Sequence, residues 1–353
     1  MAATPTRHPD FTAEPITDAS FGHEVVVRAG TTEQFVGAAE ANPSHLRSAL
    51  NDADGLLLLR GMDAISAAPE LLLRLSRVFG TRVENYRETL TGAHRIHPEV
   101  PQILRVANAP PVKQQPPPKP EPPLSADGRL PTRFPHRRGW HTDQSYRRPP
   151  PDVSLFYAHQ PAPRGQAQTI YANGTAAYAA LPPSMKARAD ALIGLHVMPK
   201  SGRSEQNLRA GGEPLPLLAH QLPQRQPVVR VHPETGRPAL FLCEAGQMDW
   251  LEGPFVDVEA GIDGEGKTLL YELMHHYTAD PFVYAHDWSP GDLIIYDNRS
   301  TIHAATWFDA DACEREMWRT TVAGNPGPEY EGERPSWIPV DAGVDRLQGI
   351  AHL

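Results

Sequence analysis

The sequence has 353 residues, 40% hydrophobic and 21% charged, with 33 Lys and Arg against 42 Asp and Glu for a net charge of −9. That apolar share can bury a core, which excludes wholesale disorder and fibrous classes. The acidic balance argues against nucleic acid or an anionic membrane surface as the main partner, so a small-molecule substrate is expected, with no nucleic acid, no membrane, and a homo-oligomer left open.

The opening residues, MAATPTRHPDFTAEP, have no basic region followed by an apolar one and do not read as a secretory signal. No stretch approaches the roughly 20 apolar residues of a membrane-spanning helix; the longest strong run is Leu56 to Leu59. Cys243 and Cys313 lie far apart and give neither a disulfide framework nor a thiolate metal cluster. A soluble, cytoplasmic protein is the expectation. Residues 55–61, GLLLLRG, form a short apolar run between glycines, suited to a buried strand. After them, residues 66–80 carry Leu71, Leu72, Leu75, Val78 and Phe79 on a helical period that stops at Gly80.

Residues 110–123 contain eight prolines in fourteen positions, which suits neither a helix nor a central strand. A solvated or docking segment and a lid over a site are equally weighted readings of this insertion, which spans about residues 109–136. From Asp152 onward the pattern turns β-rich. VSLFYAH and QTIYANG read as strands, and Val228 to His232 with Ala239 to Cys243 read as a hairpin around PETGRP. Helices are expected over about 175–195, with a second segment starting at a Pro-Pro pair, and over 266–278, with Leu269, Leu270, Leu273 and Tyr277 on one side. Residues 289–305 then read as a turn and an apolar strand ending in polar residues. Many short strands and few long helices favour a mainly β fold with flanking helices, a β-sandwich or jelly roll, in a single domain over residues 1–353.

In GWHTDQSY, residues 139–146, His141 and Asp143 would share one face if the segment is a strand, because side chains alternate with period two. A His-x-Asp pair is common by chance. His303, at the end of the apolar strand, would complete a triad of two histidines and a carboxylate, an arrangement associated with non-haem Fe(II) oxygenases. Downstream, Arg315 and Arg319 are spaced to point the same way along a strand, and guanidinium groups grip carboxylates bidentately. The bland alternative is an exposed basic pair balancing Glu314 and Glu316. The remaining histidines, His232, His275 and His276 among them, are expected to be no ligands.

With these residues in view, the chain resembles the TauD/TfdA (taurine dioxygenase-like) family of Fe(II)- and 2-oxoglutarate-dependent dioxygenases. The resemblance is collinear through LLLLRG, IHPEVP, WHTD, QTIYANGTAAYAALP, RVHPETGRPALFL, DLIIYDNRSTIHAA and REMWRTTVAG. It implies a double-stranded β-helix fold, with His141, Asp143 and His303 as ligands of Fe(2+). It also implies Thr169 and Arg315 on the carboxylate of 2-oxoglutarate, and Arg319 and His97 on the prime substrate. Arg137 stands where the taurine enzyme has an asparagine, and Gln144 where it has a small apolar residue, so both are carried as substrate-binding candidates and taurine itself does not follow.

The activity so implied consumes O2 and 2-oxoglutarate, releases succinate and CO2, and oxidises, most simply hydroxylates, an unactivated C–H bond of a small anionic metabolite. The alternatives are a non-catalytic small-ligand binding protein on a cupin-like jelly roll and a zinc hydrolase using the same three ligands. A binding module needs no open iron face, and in a zinc hydrolase Arg315 and Thr169 would have no task.

Overall fold

In the computed structural model, which describes residues 6–28, 30–89, 91–119, 130–244 and 246–337, the chain begins with strands β1 (Thr6–Arg7), β2 (Phe11–Pro15) and β3 (His23–Val27). Helices α1 (Thr32–Ala41) and α2 (Pro43–Asp52) follow. Thr31 starts α1 with a capping box: its hydroxyl accepts from the Gln34 N–H and the Gln34 side chain accepts from its own N–H. Next come β4 (Leu56–Leu59), α3 (Ala64–Ala67), α4 (Glu70–Arg77), β5 (Arg82–Val83) and β6 (Leu104–Ala107). The second half runs β7 (Val153–Gln160), β8 (Thr169–Asn173), α5 (Gly174–Ala180), α6 (Pro183–Ala191), β9 (Ile193–His196) and α7 (Glu205–Arg209). It ends with β10 (Gln224–Pro227), β11 (Val229–Val231), β12 (Pro238–Leu240), α8 (Glu265–Tyr277), β13 (Val283–His286), β14 (Leu293–Asp297), β15 (Thr301–Ala305) and β16 (Glu316–Ala323).

The large sheet has the order β1-β2-β3-β4-β14-β7-β16-β5, with β6 also paired to β16, and a smaller sheet has the order β13-β8-β15. Only the β3 to β4 pairing is parallel among the described strands. The two sheets face each other as a jelly roll. Between them lie Leu56, Leu58, Ala158, Tyr171, Trp288, Ile294, Tyr296 and Met317, a cluster drawn from both sheets. The alternate residues Leu57, Leu59, Leu155, Tyr157, Leu293 and Ile295 point the other way and pack under the N-terminal helices with Phe35, Leu46, Leu72 and Leu75. This explains why all four leucines of β4 are fully buried: a strand covered on both faces needs a continuous apolar run. Likewise Ile170, Ala172, Ile302 and Ala304 on the outer face of the small sheet meet Ala177, Leu269, Leu270 and Leu273 of the C-terminal helices. Each leucine or isoleucine so taken from water contributes about 1.5–3 kcal/mol.

Three elements differ from the sequence expectation. The helix expected over 66–80 is divided, because Ala68 precedes Pro69 and takes φ −134°, ψ 75°, outside the helical region that a following proline disfavours. The helix expected to reach residue 195 stops at Ala191, and Ile193–His196 is instead a strand held by antiparallel pairing with β10. The apolar strand over 293–296 does not carry His303. The chain turns at Asn298 to Ser300 and crosses from the large sheet to the small one, where His303 sits in β15.

That crossing is pinned by a buried ion cluster. Asp297 accepts from the Arg299 backbone N–H, from the Arg299 guanidinium, and from His232 Nε2 at 3.0 Å. His232 Nδ1 accepts from the Glu234 and Thr235 N–H groups, which fixes the proton on Nε2. Burial would raise the Asp297 carboxyl, but Arg299 and then His232 outweigh it and hold the group well below the usual carboxylate range. A folded-state value below the unfolded one, near ~3.9, contributes stability above that pH and loses it as pH falls through the folded value. Arg299→Met is therefore expected to move the acid-unfolding midpoint, followed by far-UV circular dichroism, to higher pH. An unchanged midpoint would place the stabilisation elsewhere.

No helix among the described residues is long and apolar enough to cross a membrane.

Candidate metal centre

His141 and His303 face each other across the gap between a loop and β15. Each donates its backbone N–H to the other's carbonyl, at 2.9 and 2.7 Å, and their ring centroids are 4.3 Å apart. The segment after His141 is a turn rather than the strand that residue spacing suggested. Asp143 reaches the same point because the Asn298 corner clamps the turn: Thr142 Oγ1 donates to the Asn298 carbonyl at 2.9 Å and the Asp143 N–H to Asn298 Oδ1 at 3.2 Å. Gln144 follows at φ +51°, turning the chain away.

The ligand atoms of His141, Asp143 and His303 all lie within 4.8 Å of one another. Their protonation suits a cation. His141 Nδ1 donates to the Gly139 carbonyl at 2.7 Å, which leaves Nε2 with its lone pair. Burial, followed by His141, pushes the His303 imidazole down to about 3, so it is neutral at physiological pH. Burial would raise the Asp143 carboxyl, but Arg319 and the two histidines hold it well below the usual carboxylate range. Its Oδ2 accepts from Ser154 Oγ at 2.8 Å and Tyr296 Oη at 2.7 Å, which leaves Oδ1 directed at the histidines, 4.0 Å from His303 Nε2, with the Arg319 guanidinium bonded to it. Two neutral imidazoles and one oriented carboxylate oxygen fit a divalent transition metal with open positions.

The triad opens into a cavity of about 560 Å³ that is also lined by Thr169, Gln144, Phe156, Phe308, Arg315 and Arg319. Arg315 lies one residue before β16, buried, with its guanidinium carbon 5.9 and 5.8 Å from the Phe156 and Phe308 ring centroids. Its Nε is buried without a partner, and burial pushes its pKa down to about 10. Thr169 Oγ1 accepts from Trp288 Nε1 at 3.0 Å. The residues from Gln114 to Pro118 line the same cavity, so the described part of the proline-rich insertion is a wall of the site. Residues 120–129 of that insertion lie outside the described residues.

Two substrate candidates are placed elsewhere. His97 is buried and does not line the cavity; its Nδ1 accepts from the Glu99 and Val100 N–H groups and its ring meets Trp318 edge-on at 4.9 Å. It shapes a loop. Arg137 is also buried away from the cavity, donating from Nε to the Pro131 carbonyl at 3.0 Å, and its neighbour Arg138 takes the lining position. Gln144 does line the cavity and bonds Glu84 and Arg147 through its amide. Sequence reasoning missed Arg95, Ser154, Trp288, Tyr296 and Asn298. None stands in a motif with chemistry of its own; Arg95 lines the cavity directly, and the others act through partners distant in the chain.

Residues 13–321 match the family model described as taurine catabolism dioxygenase TauD, TfdA family, and the chain belongs to that family. Among curated relatives, the (S)-phenoxypropionate/alpha-ketoglutarate-dioxygenase of Sphingobium herbicidovorans is 33% identical over 195 residues, 54% of this chain and 64% of that protein. The alpha-ketoglutarate-dependent 2,4-dichlorophenoxyacetate dioxygenase of Cupriavidus pinatubonensis is 32% identical over 187 residues, 52% of this chain and 59% of that protein. The chain thus spans about three fifths of the length of these curated relatives. The crystal structure of a taurine dioxygenase from Burkholderia xenovorans superposes with a TM-score of 0.60 at 21% identity, covering 98% of this chain and 100% of that one. At that identity the likeness shows the jelly-roll fold.

Proposed function

We propose that this member of the TauD, TfdA family is an Fe(II)- and 2-oxoglutarate-dependent dioxygenase that hydroxylates a C–H bond of a small anionic molecule. The observation that carries the proposal is the buried, unpartnered Arg315 in the same cavity as the His141, Asp143 and His303 triad. A desolvated guanidinium there calls for an anion, and a cosubstrate carboxylate beside the three metal ligands would complete it.

His141, Asp143 and His303 would hold the iron, which when bound supplies oxygen activation coupled to decarboxylation of 2-oxoglutarate to succinate and CO2. The rest of the chemistry is positioning by this chain. Arg315 would take the far carboxylate of 2-oxoglutarate. Because Thr169 Oγ1 already accepts from Trp288, its own O–H is left to donate, and the same carboxylate would compete for it with the neighbouring Tyr171 phenol. Arg319 would read the anionic end of the prime substrate beside Asp143, while Phe156, Leu104 and Val106 give the cavity an apolar wall for the carbon to be oxidised. Relatives named for phenoxypropionate and 2,4-dichlorophenoxyacetate support an anionic substrate. Pro116 to Pro118 add apolar lining to the cavity, which suits a site that must exclude water.

The test is anaerobic addition of Fe(II) and 2-oxoglutarate: a weak visible charge-transfer band that needs both is expected, and substrate-dependent succinate release should follow in air. Absence of the band with iron bound would overturn the proposal. A subsidiary prediction concerns Trp288, held by edge contacts with Phe156 at 5.3 Å and His286 at 4.6 Å. Trp288→Phe removes the indole N–H and frees Thr169 Oγ1 to rotate, so the Michaelis constant for 2-oxoglutarate should rise by roughly 3- to 10-fold, as for one neutral hydrogen bond. No change in that constant would show that the Thr169 hydroxyl is not oriented through Trp288.

A further inference from the structure

Beyond Arg138, Arg315 and Arg319, a fourth arginine reaches the cavity. Arg95 lines it and also lines a second chamber of about 340 Å³, with Tyr146 and Pro199 shared between the two. These three residues form a throat. The second chamber is walled by Arg147, Lys200, His220 and Trp337 together with Glu88 and the neutral polar Thr89, Thr91 and Gln221.

Arg95 is half-buried, and its guanidinium makes one hydrogen bond, from Nη2 to the neutral amide oxygen of Gln114 at 3.2 Å. Its Nε is buried with no partner, and no carboxylate pairs with it among the described residues. Arg315 is the arginine assigned to the cosubstrate, and the remaining cations have carboxylates beside them. Arg138 lies 3.8 and 3.9 Å from Glu205 and Glu244, Arg147 in the second chamber has Glu84, and Arg319 has Asp143, whose charge a bound iron would claim. Burial, and then the nearby Arg319, disfavour the charged form of Arg95. A guanidinium kept in such a place without a counterion costs free energy that an incoming anion would recover.

Resting on the dioxygenase reading, we infer that Arg95 is a specificity-determining contact for a second anionic group, so that the substrate is an elongated dianion. One acidic group lies at Arg319 beside the triad and the other at the throat, where Arg95 is met by the Gln114 amide. The charge balance points the same way. Iron(II) with Asp143 and doubly charged 2-oxoglutarate carries −1, which Arg315 cancels, leaving Arg319 and Arg95 each to be matched. A single anion shared by both would leave the side of Arg95 that lines the second chamber without a partner.

The experiment is a calorimetric titration of the anaerobic Fe(II) protein, saturated with 2-oxoglutarate, with straight-chain α,ω-dicarboxylates and the monocarboxylates of equal length. At some chain length the dicarboxylate should bind on the order of 10- to 100-fold more tightly than its monocarboxylate, the worth of one charge-assisted contact. Arg95→Gln should abolish that margin and leave monocarboxylate affinity unchanged, and Arg95→Lys should retain part of it. No preference for a dicarboxylate at any length would overturn the inference. So would equal weakening of both acids by Arg95→Gln, which means one shared anion, or displacement of 2-oxoglutarate, which means capture by Arg315. The charge-transfer band in the same samples reports on the dioxygenase reading separately, and the margin between the acids is measured whether or not the band forms.

Discussion

Asp143→Asn is expected to abolish substrate-dependent succinate release, with a fall of at least ~10³-fold, and to weaken metal binding by more than the roughly 100-fold typical of losing a residue behind a ligand. Asparagine keeps the shape of the side chain, and its amide oxygen can still accept from Ser154 and Tyr296 as Asp143 Oδ2 does. What goes is the charged oxygen directed at His303, and with it the partner of Arg319. This substitution keeps the side-chain volume that Asp143→Ala would empty, while either one leaves the Arg319 guanidinium without its counterion, a cost of about 3–5 kcal/mol to stability. Metal content by mass spectrometry, with a thermal melt as control, separates the outcomes. Stoichiometric iron and undiminished turnover in the variant would remove Asp143 from the ligand set.

The parts of this fold legible in the sequence are those whose determinants are local. β4, β7, β8 and β14 are apolar runs between turn residues, and the apolar stripe of α8 is visible at helical spacing. The division of the helix near Pro69 could also have been read, since the proline states it. By contrast, the turn that brings Asp143 to the histidines depends on Asn298, 155 residues away, and no spacing within GWHTDQSY encodes it. Crossing of the chain between sheets at Asn298 to Ser300 is likewise a tertiary decision, fixed by the Asp297, Arg299 and His232 cluster. His97 and Arg137 show the converse case, lying outside the cavity lining. Both have the side-chain chemistry of a site residue and both are turned into loop architecture by neighbouring backbone groups, while Arg95 and Arg138, two positions and one position away, take the cavity-lining places. Over a loop, one residue of register decides which side chain meets the ligand.

Arg315→Met should separate function from stability by moving them in opposite directions. In the protein without ligand, Arg315 is buried between Phe156 and Phe308, its Nε has no partner, and burial has already lowered its pKa to about 10. A methionine of similar length fills that apolar sandwich without the desolvation cost of a cation, so the melting temperature of the free protein should hold or rise. Its Michaelis constant for 2-oxoglutarate should rise by roughly 10- to 150-fold, the worth of a charge-assisted pair, while that for the prime substrate changes much less. Saturating 2-oxoglutarate, which should raise the melting temperature of the native protein by mass action, should give the variant little protection at the same concentration. A variant that melts lower and binds 2-oxoglutarate normally would show that Arg315 is structural, and the cosubstrate carboxylate would then have to be sought at Arg319 or Arg95.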